Sequence, residues 1–374
     1  MRSLDTTLAL RTESVSRSAE SRLPEVLLLT SGLQFDRGAA EEVAALSESL
    51  TGEGWRTTVR DCFSSQWTNG DRQSDFGRLA SCRDCIRELV RLIPGFEVVH
   101  LVADSPVALV FFAIPVLLLS KFLGKKVVLS FDLATADDFL DRWDWMICPF
   151  LRMADRLVVN SEFQASAVEE FGLQAEVLPT VSDSSTPAFR QVGRLQPRIL
   201  VDRPLESPFN ITCLIRAFAF VKQKYPRAEL IIAGEGTQRE ALENMVRTEG
   251  IRGVSFDNHS TYDEPGSSYA EADLYIVPSS YDTMPRSILK AFTAGLPVVT
   301  TDAGGITSLV KDRVNGLVVP VNNHVVLAER IFELIENPEL VVELTRHAQA
   351  DARQFEWNQV GESWRKLYRA VAAT

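Results

Sequence analysis

Histidine and cysteine are scarce in this chain, and that scarcity bounds its chemistry. Four histidines are spread over 374 residues. The cysteines number five: Cys62, Cys82, Cys85, Cys148 and Cys213. An odd count at irregular spacing implies no disulfide framework and fits a reducing, cytoplasmic setting. Cys82-x-x-Cys85 stands alone, without the second pair or nearby His that a zinc site wants. No Asp-x-Asp metal motif lies near a strand end. Basic residues are outnumbered, 39 against 50 acidic, for a net charge of −11. Nucleic acid is therefore not an expected partner, although a local basic pocket could still take a small anion. A secretory leader is not legible either. Residues 1–22 are rich in Ser, Arg and Glu, lack an apolar core, and read as a mobile tail. The most apolar run, Pro106–Leu119, is about 14 residues, short of the about 20 that a spanning helix needs. It reads first as a helix buried in an α/β core. The following Lys121, Lys125 and Lys126 leave open a peripheral contact at the inner membrane surface.

What is present is ordinary for a globular protein: 45% hydrophobic and 24% charged residues. The length suits two domains of about 150–190 residues. Short apolar runs at Val26–Thr30, Val98–Val102, Val127–Phe131 and Arg156–Asn160 alternate with helical patterns, as expected of a parallel sheet covered on both faces. Ser182–Pro197 breaks the rhythm with Ser, Pro and Gln. Strands then resume at Ile199–Val201, Leu230–Ala233, Leu274–Val277, Val298–Thr300 and Leu317–Val319. The reading is α/β: a tail (1–22), an N-terminal Rossmann-like domain (23–185), a linker (186–197), a second Rossmann-like domain (198–352) and a closing helix (353–374). Ligands of such sheets sit at the carboxyl ends of the strands.

The stretch Pro278–Pro320 carries the chemistry. A strand delivers the loop Pro278–Pro285, and a helix begins near Arg286, whose N-terminal N–H groups favour a phosphate. A further strand leads to Gly304-Gly305, where bare backbone allows close approach.

Pro278-Ser279, Asp282, Gly295, Pro297-Val298-Val299, Gly304-Gly305 and Asn315-Gly316 resemble the donor-binding region of family 4 glycosyltransferases, retaining enzymes with the GT-B fold. The resemblance is strong over 198–372 and weaker over 24–180. It implies two Rossmann-like domains facing each other across a cleft. The donor would be a nucleotide-sugar, the acceptor a glycan, lipid or small molecule, and no cofactor is called for. By resemblance, Asp282 would contact sugar hydroxyls and Arg203 the diphosphate. Gly38, Gly234, Gly236, Thr283, Met284, Gly304 and Gly305 would line the donor.

Two positions depart from the pattern. Lys290 stands where a Glu would accept ribose hydroxyls, and no Lys follows Arg203 near Phe209-Asn210. Lys290 is thus expected to replace that lysine as a phosphate contact. Asp132, Leu133 and Ala134 stand where the family has a His and two glycines. Asp132 is a candidate base or sugar contact, and Asp137 and Asp138 are acceptor candidates. Three readings remain open: an active retaining transferase, a catalytically silent relative serving as partner or regulatory subunit, and a nucleotide-sugar epimerase.

Overall fold

The four apolar runs of the N-terminal half are parallel strands, as their burial on both faces requires. The computed structural model describes residues 23–31, 37–61, 86–103, 105–131, 137–182, 189–191, 193–257 and 267–374. The tail 1–22, Cys62, Cys82, Cys85 and Asp132–Ala134 lie outside these residues, as do 186–188 and 192 of the linker.

The first sheet has the order β2-β1-β3-β4-β5-β6: β1 Val26–Thr30, β2 Thr57–Asp61, β3 Val98–Ala103, β4 Lys126–Phe131, β5 Arg156–Val159 and β6 Ala175–Val177. The second has the order β12-β11-β10-β7-β8-β9: β7 Arg198–Asp202, β8 Glu229–Ala233, β9 Val254–Asp257, β10 Leu274–Val277, β11 Val298–Thr301 and β12 Leu317–Val319. All neighbouring pairs are parallel. The direction of strand order reverses between β1 and β3, and again between β7 and β10. A crevice opens at such switch points.

Helices join these strands. In the first half they are α1 Arg37–Gly52, α2 (86–92), α3 (106–122), α4 Asp137–Leu151 and α5 Glu162–Glu169. In the second half they are α6 Ile211–Lys224, α7 Arg239–Thr248, α8 Ser267–Glu271, α9 Arg286–Ala294, α10 Ile306–Leu309, α11 His324–Glu336 and α12 Pro338–Ala352. Ser161 caps α5 by accepting from the Gln164 N–H.

The last helix, α13 (Trp357–Ala373), returns to the N-terminal sheet. Its Val360, Trp364, Leu367, Tyr368 and Val371 join Val26, Leu28, Val98, Val128 and Val158 in one buried cluster. His100 fastens the contact. Its Nδ1 lies 2.7 Å from the Tyr368 hydroxyl and its Nε2 lies 2.8 Å from Ser130 Oγ. Burial holds the imidazole down at a pKa of about 3, so it is neutral at ordinary pH. His100 is a core group, not a cleft residue.

Helix α3 differs from the sequence expectation. It runs past Pro115 to Phe122, with the turn Leu109–Ala113 widened to π geometry just before the proline. It is buried along one side only. Ala108, Leu109, Phe112, Ala113, Val116 and Leu117 pack on the sheet, whereas Val107, Phe111, Leu118 and Phe122 are exposed.

Candidate functional site

Asp202 ends β7, and the chain turns directly into Arg203. The Arg203 N–H donates to Ala233 O (3.1 Å) and the Leu205 N–H to Glu235 O (2.8 Å), which lays this loop along Gly234–Gly236. No side chain would fit between them: a Cβ on Gly234 would stand 2.1 Å from Arg203 O, and one on Gly236 2.5 Å from Leu205 O. The loop after β10 lies beside it. The Ser280 N–H and Oγ both donate to Pro208 O, at 2.8 and 3.0 Å. The two loops flank the second switch point, which is why residues 79 apart in sequence meet there.

Arg203 and Asp282 form a buried ion pair through Nη2 and Oδ2. Ser279 Oγ donates to the same carboxylate oxygen at 3.1 Å, and the Thr283 N–H donates to Oδ1 at 3.0 Å. The Arg203 guanidinium also sits 4.4 Å over the Phe209 ring, which holds its plane. Asp282 is 2% exposed, and Thr283 is fully buried. Gly304-Gly305 closes the loop from the other side. The Gly305 N–H donates to Asp282 O at 2.9 Å. A Cβ on Gly304 would lie 2.2 Å from Asp282 O, and one on Gly305 1.8 Å from Thr283 O. The glycine pair is therefore required by the approach of two loops of the protein itself. Met284 is half-buried and packs into the cluster around α9.

Lys290 lies on α9 and reaches across to the N-terminal domain. Its Nζ donates to Glu41 Oε2 at 2.6 Å, and one turn earlier Arg286 Nη1 donates to Glu42 Oε2 at 2.9 Å. Glu41 and Glu42 belong to α1, which follows β1 at the first switch point. Gly38 lies in the first turn of α1. Phe163, at the start of α5, faces Tyr281 with ring centroids 6.5 Å apart. The carboxyl ends of both sheets thus face each other, with α1 and α5 on one side and α9 and the β10 loop on the other.

Asp202 lies behind Arg203 and accepts from the Tyr269 hydroxyl at 2.9 Å. Burial pushes its carboxyl above the ordinary carboxylate range. Lys290 and the Tyr269 hydroxyl pull it back in part, and Glu41 adds to the rise.

Arg203, Asp282, Thr283, Gly234, Gly236, Gly304 and Gly305 converge around the second switch point, with Met284 and Lys290 beside them. Asp132 lies outside the described residues, and of Asp137 and Asp138 only the helical backbone is described. Glu41, Glu42, Arg286, Asp202 and Tyr269 are functional candidates that sequence reasoning missed. Glu41-Glu42 reads as an ordinary acidic helix start, and its partners lie about 245 residues away. Among the described residues no group of His, Cys, Asp and Glu could hold a metal ion. His324 and His347 lie on α11 and α12, and His347 Nδ1 bonds Val314 O.

Residues 196–351 match the family model described as glycosyl transferases group 1. A D-inositol 3-phosphate glycosyltransferase of Saccharomonospora viridis is 27% identical over 246 residues, 59% of this chain and 56% of that one. An alpha-D-kanosaminyltransferase of Streptomyces kanamyceticus is 24% identical over 178 residues, 47% of this chain and 46% of its own. An uncharacterised glycosyltransferase of Methanocaldococcus jannaschii is 24% identical over 61% of this chain and 60% of its own. The chain spans about half to three fifths of the length of these curated relatives. Among solved structures, Anabaena HepE in complex with UDP-glucose superposes with a TM-score of 0.72 at 18% identity, covering 93% of this chain and all of that one. Sucrose-phosphate synthase from Thermosynechococcus elongatus gives 0.70 at 17% identity, covering 93% and 99%. The chain has the GT-B fold, and residues 196–351 match the glycosyl transferases group 1 model.

Proposed function

We propose that the protein is a retaining glycosyltransferase. It would move a sugar from a nucleoside-diphosphate sugar to a glycan, lipid or small-molecule acceptor in the cleft between the two sheets. The observation that carries this reading is the buried Arg203–Asp282 pair, held at the second switch point by Ser279, Thr283 and Gly305. It sets a fixed cation and a fixed carboxylate side by side, one suited to a diphosphate and the other to sugar hydroxyls. The relatives named as glycosyltransferases and the HepE complex with UDP-glucose support the reading.

In the transfer, the bond from the anomeric carbon to the diphosphate breaks and the acceptor oxygen takes its place on the same face. The acceptor's proton leaves with the diphosphate or is taken by a base, for which Asp132 is the candidate. Arg203 and Lys290 would carry the charge that develops on the leaving group, so the reading calls for no metal or cofactor. Lys290 would first have to leave Glu41. That engagement also supports the second reading, a catalytically silent GT-B relative serving as partner or regulatory subunit. We place the protein in the cytoplasm, in peripheral contact with the membrane.

Calorimetric titration with UDP, GDP, ADP and their sugars separates the two readings. Saturable binding of one nucleotide-sugar, lost in Arg203→Lys, supports the transferase. No binding at millimolar ligand removes it. Lys keeps the charge beside Asp282 but loses the guanidinium fork, so loss of binding is not a loss of fold.

A further inference from the structure

Helix α3 presents an apolar ridge to solvent. Phe122 is 88% exposed, Phe111 74%, Val107 55% and Leu118 39%. Pro115 is exposed between them. The spacings of four, four, three and four residues keep all five on the side away from the sheet. Single exposed apolar residues are common, but five along one helix form a continuous strip. Helix α4, which shares the core on this side of the sheet, exposes Trp145 (71%) and Trp143.

The charge around the ridge runs against the rest of the chain. Residues 105–130 hold three lysines and no Asp or Glu, in a chain of net charge −11. Lys121, Lys125 and Lys126 lie at the Phe122 end, where α3 turns into β4. Asp155 meets Lys121 at 2.7 Å and Lys126 at 3.6 Å, while Lys125 donates to Pro94 O. Arg152 and Arg156 flank Asp155 and are both exposed. This end of the domain carries five cations, set against Asp155 and the exposed Glu97, whose backbone O accepts from the Lys126 N–H. Asp144, between the two tryptophans, is exposed and opposes them.

We propose that this face docks on an anionic lipid bilayer, with Phe111, Leu118, Phe122 and the α4 tryptophans entering the headgroup boundary and the basic rim at Lys125 meeting lipid phosphates. Aromatic side chains beside lysines suit that boundary, where one end of the group is apolar and the other wet. An acidic protein would be repelled from an anionic surface except through such a local basic rim. The docking gives a surface and a lipid class to the membrane contact of the proposed function, and does not depend on the transfer chemistry. Val107 sits just beyond the carboxyl end of β3, so the ridge runs from the cleft side of the domain down to its opposite edge.

The test is co-sedimentation of the full chain with vesicles of phosphatidylcholine alone and of phosphatidylcholine with phosphatidylglycerol. Binding is expected only to the anionic vesicles. The pair Phe111→Ser with Phe122→Ser should weaken it by at least about tenfold, and Lys125→Glu by about fivefold or more. These side chains project into solvent, so melting temperature and nucleotide titrations should be unchanged, which separates a failure here from a failure of the transfer reading. Absence of binding to anionic vesicles, or binding indifferent to the Phe pair, overturns the proposal. So does a dimer in sedimentation velocity that the Phe pair dissolves, which would make the ridge a contact between copies.

Discussion

If Lys290 serves the donor diphosphate, Glu41 competes with that diphosphate for it. The two side chains meet at 2.6 Å and are 18% and 26% exposed, so the pair lies between a solvated ion pair and a buried one. Exposed pairs contribute about 0–1 kcal/mol, and attraction strengthens as water is excluded. A value of about 1–2 kcal/mol is reasonable for this pair. A diphosphate that recruits Lys290 must spend that amount to break the contact. Glu41→Gln keeps the shape, removes the negative charge and frees the ammonium. Nucleoside-diphosphate binding should then tighten by about 5–30-fold. Lys290→Glu should act in the opposite sense, because it sets a carboxylate against Glu41 and close to Asp202. The assay is calorimetry with UDP and GDP at two ionic strengths, on variants whose melting temperatures have been measured. Unchanged or weaker binding in Glu41→Gln, or tighter binding in Lys290→Glu, refutes the reasoning. Lys290 would then be a tie between the domains and not a phosphate ligand.

Other outcomes follow from the same geometry. Glu42→Arg should open the cleft, seen as a larger radius of gyration by small-angle X-ray scattering. Adding Arg286→Glu should restore closure, with a coupling of about 1–2 kcal/mol in the double-mutant cycle. His100 is neutral in the fold down to pH about 3, whereas the unfolded chain takes up its proton near pH 6.5. Between these values the unfolded state binds more protons, so stability falls as pH drops, by about 1.4 kcal/mol per pH unit from this group. His100→Gln should flatten the urea-midpoint profile between pH 6 and 4, at a lower stability throughout. Gly305→Ala forces its Cβ against Thr283 O. It should cost about 1–3 kcal/mol of stability and weaken donor binding by shifting the Asp282 loop; a neutral outcome in both assays would show that the two loops are not held in this approach.

The central strands were legible in the sequence, because strands covered on both faces must be continuous apolar runs. Three of the four edge strands, β2, β6 and β9, were not, whereas the fourth, β12, is apolar enough (LVV) to be read. The sequences of those three, TTVRD, AEV and VSFD, carry too little apolar character, since an outer strand is only partly covered. The loops after β10 and β11 could be placed for a similar reason: Asp282, Gly304 and Gly305 fall at strand ends whatever the rest of the fold does. Arg203 meets Asp282 because β7 and β10 are neighbours in the sheet, and neighbours at a switch point deliver their loops to one place.

What the amino-acid order determined alone is local: which segments extend, which coil, and which residue types reach the carboxyl ends of the strands. Tertiary structure decided what those residues meet. Lys290 reads as a free phosphate ligand until α1 brings Glu41 to it from 249 positions away. His100 sits in an apolar strand pattern that suits a core residue, but only the return of α13 supplies Tyr368 as its partner. Helix α3 reads as buried because hydropathy counts apolar residues without regard to direction. Only the packing of one side on the sheet leaves Phe111 and Phe122 in water. Charge pairing, burial and exposure depend on which surfaces the fold brings together, and sequence separation carries almost none of that information.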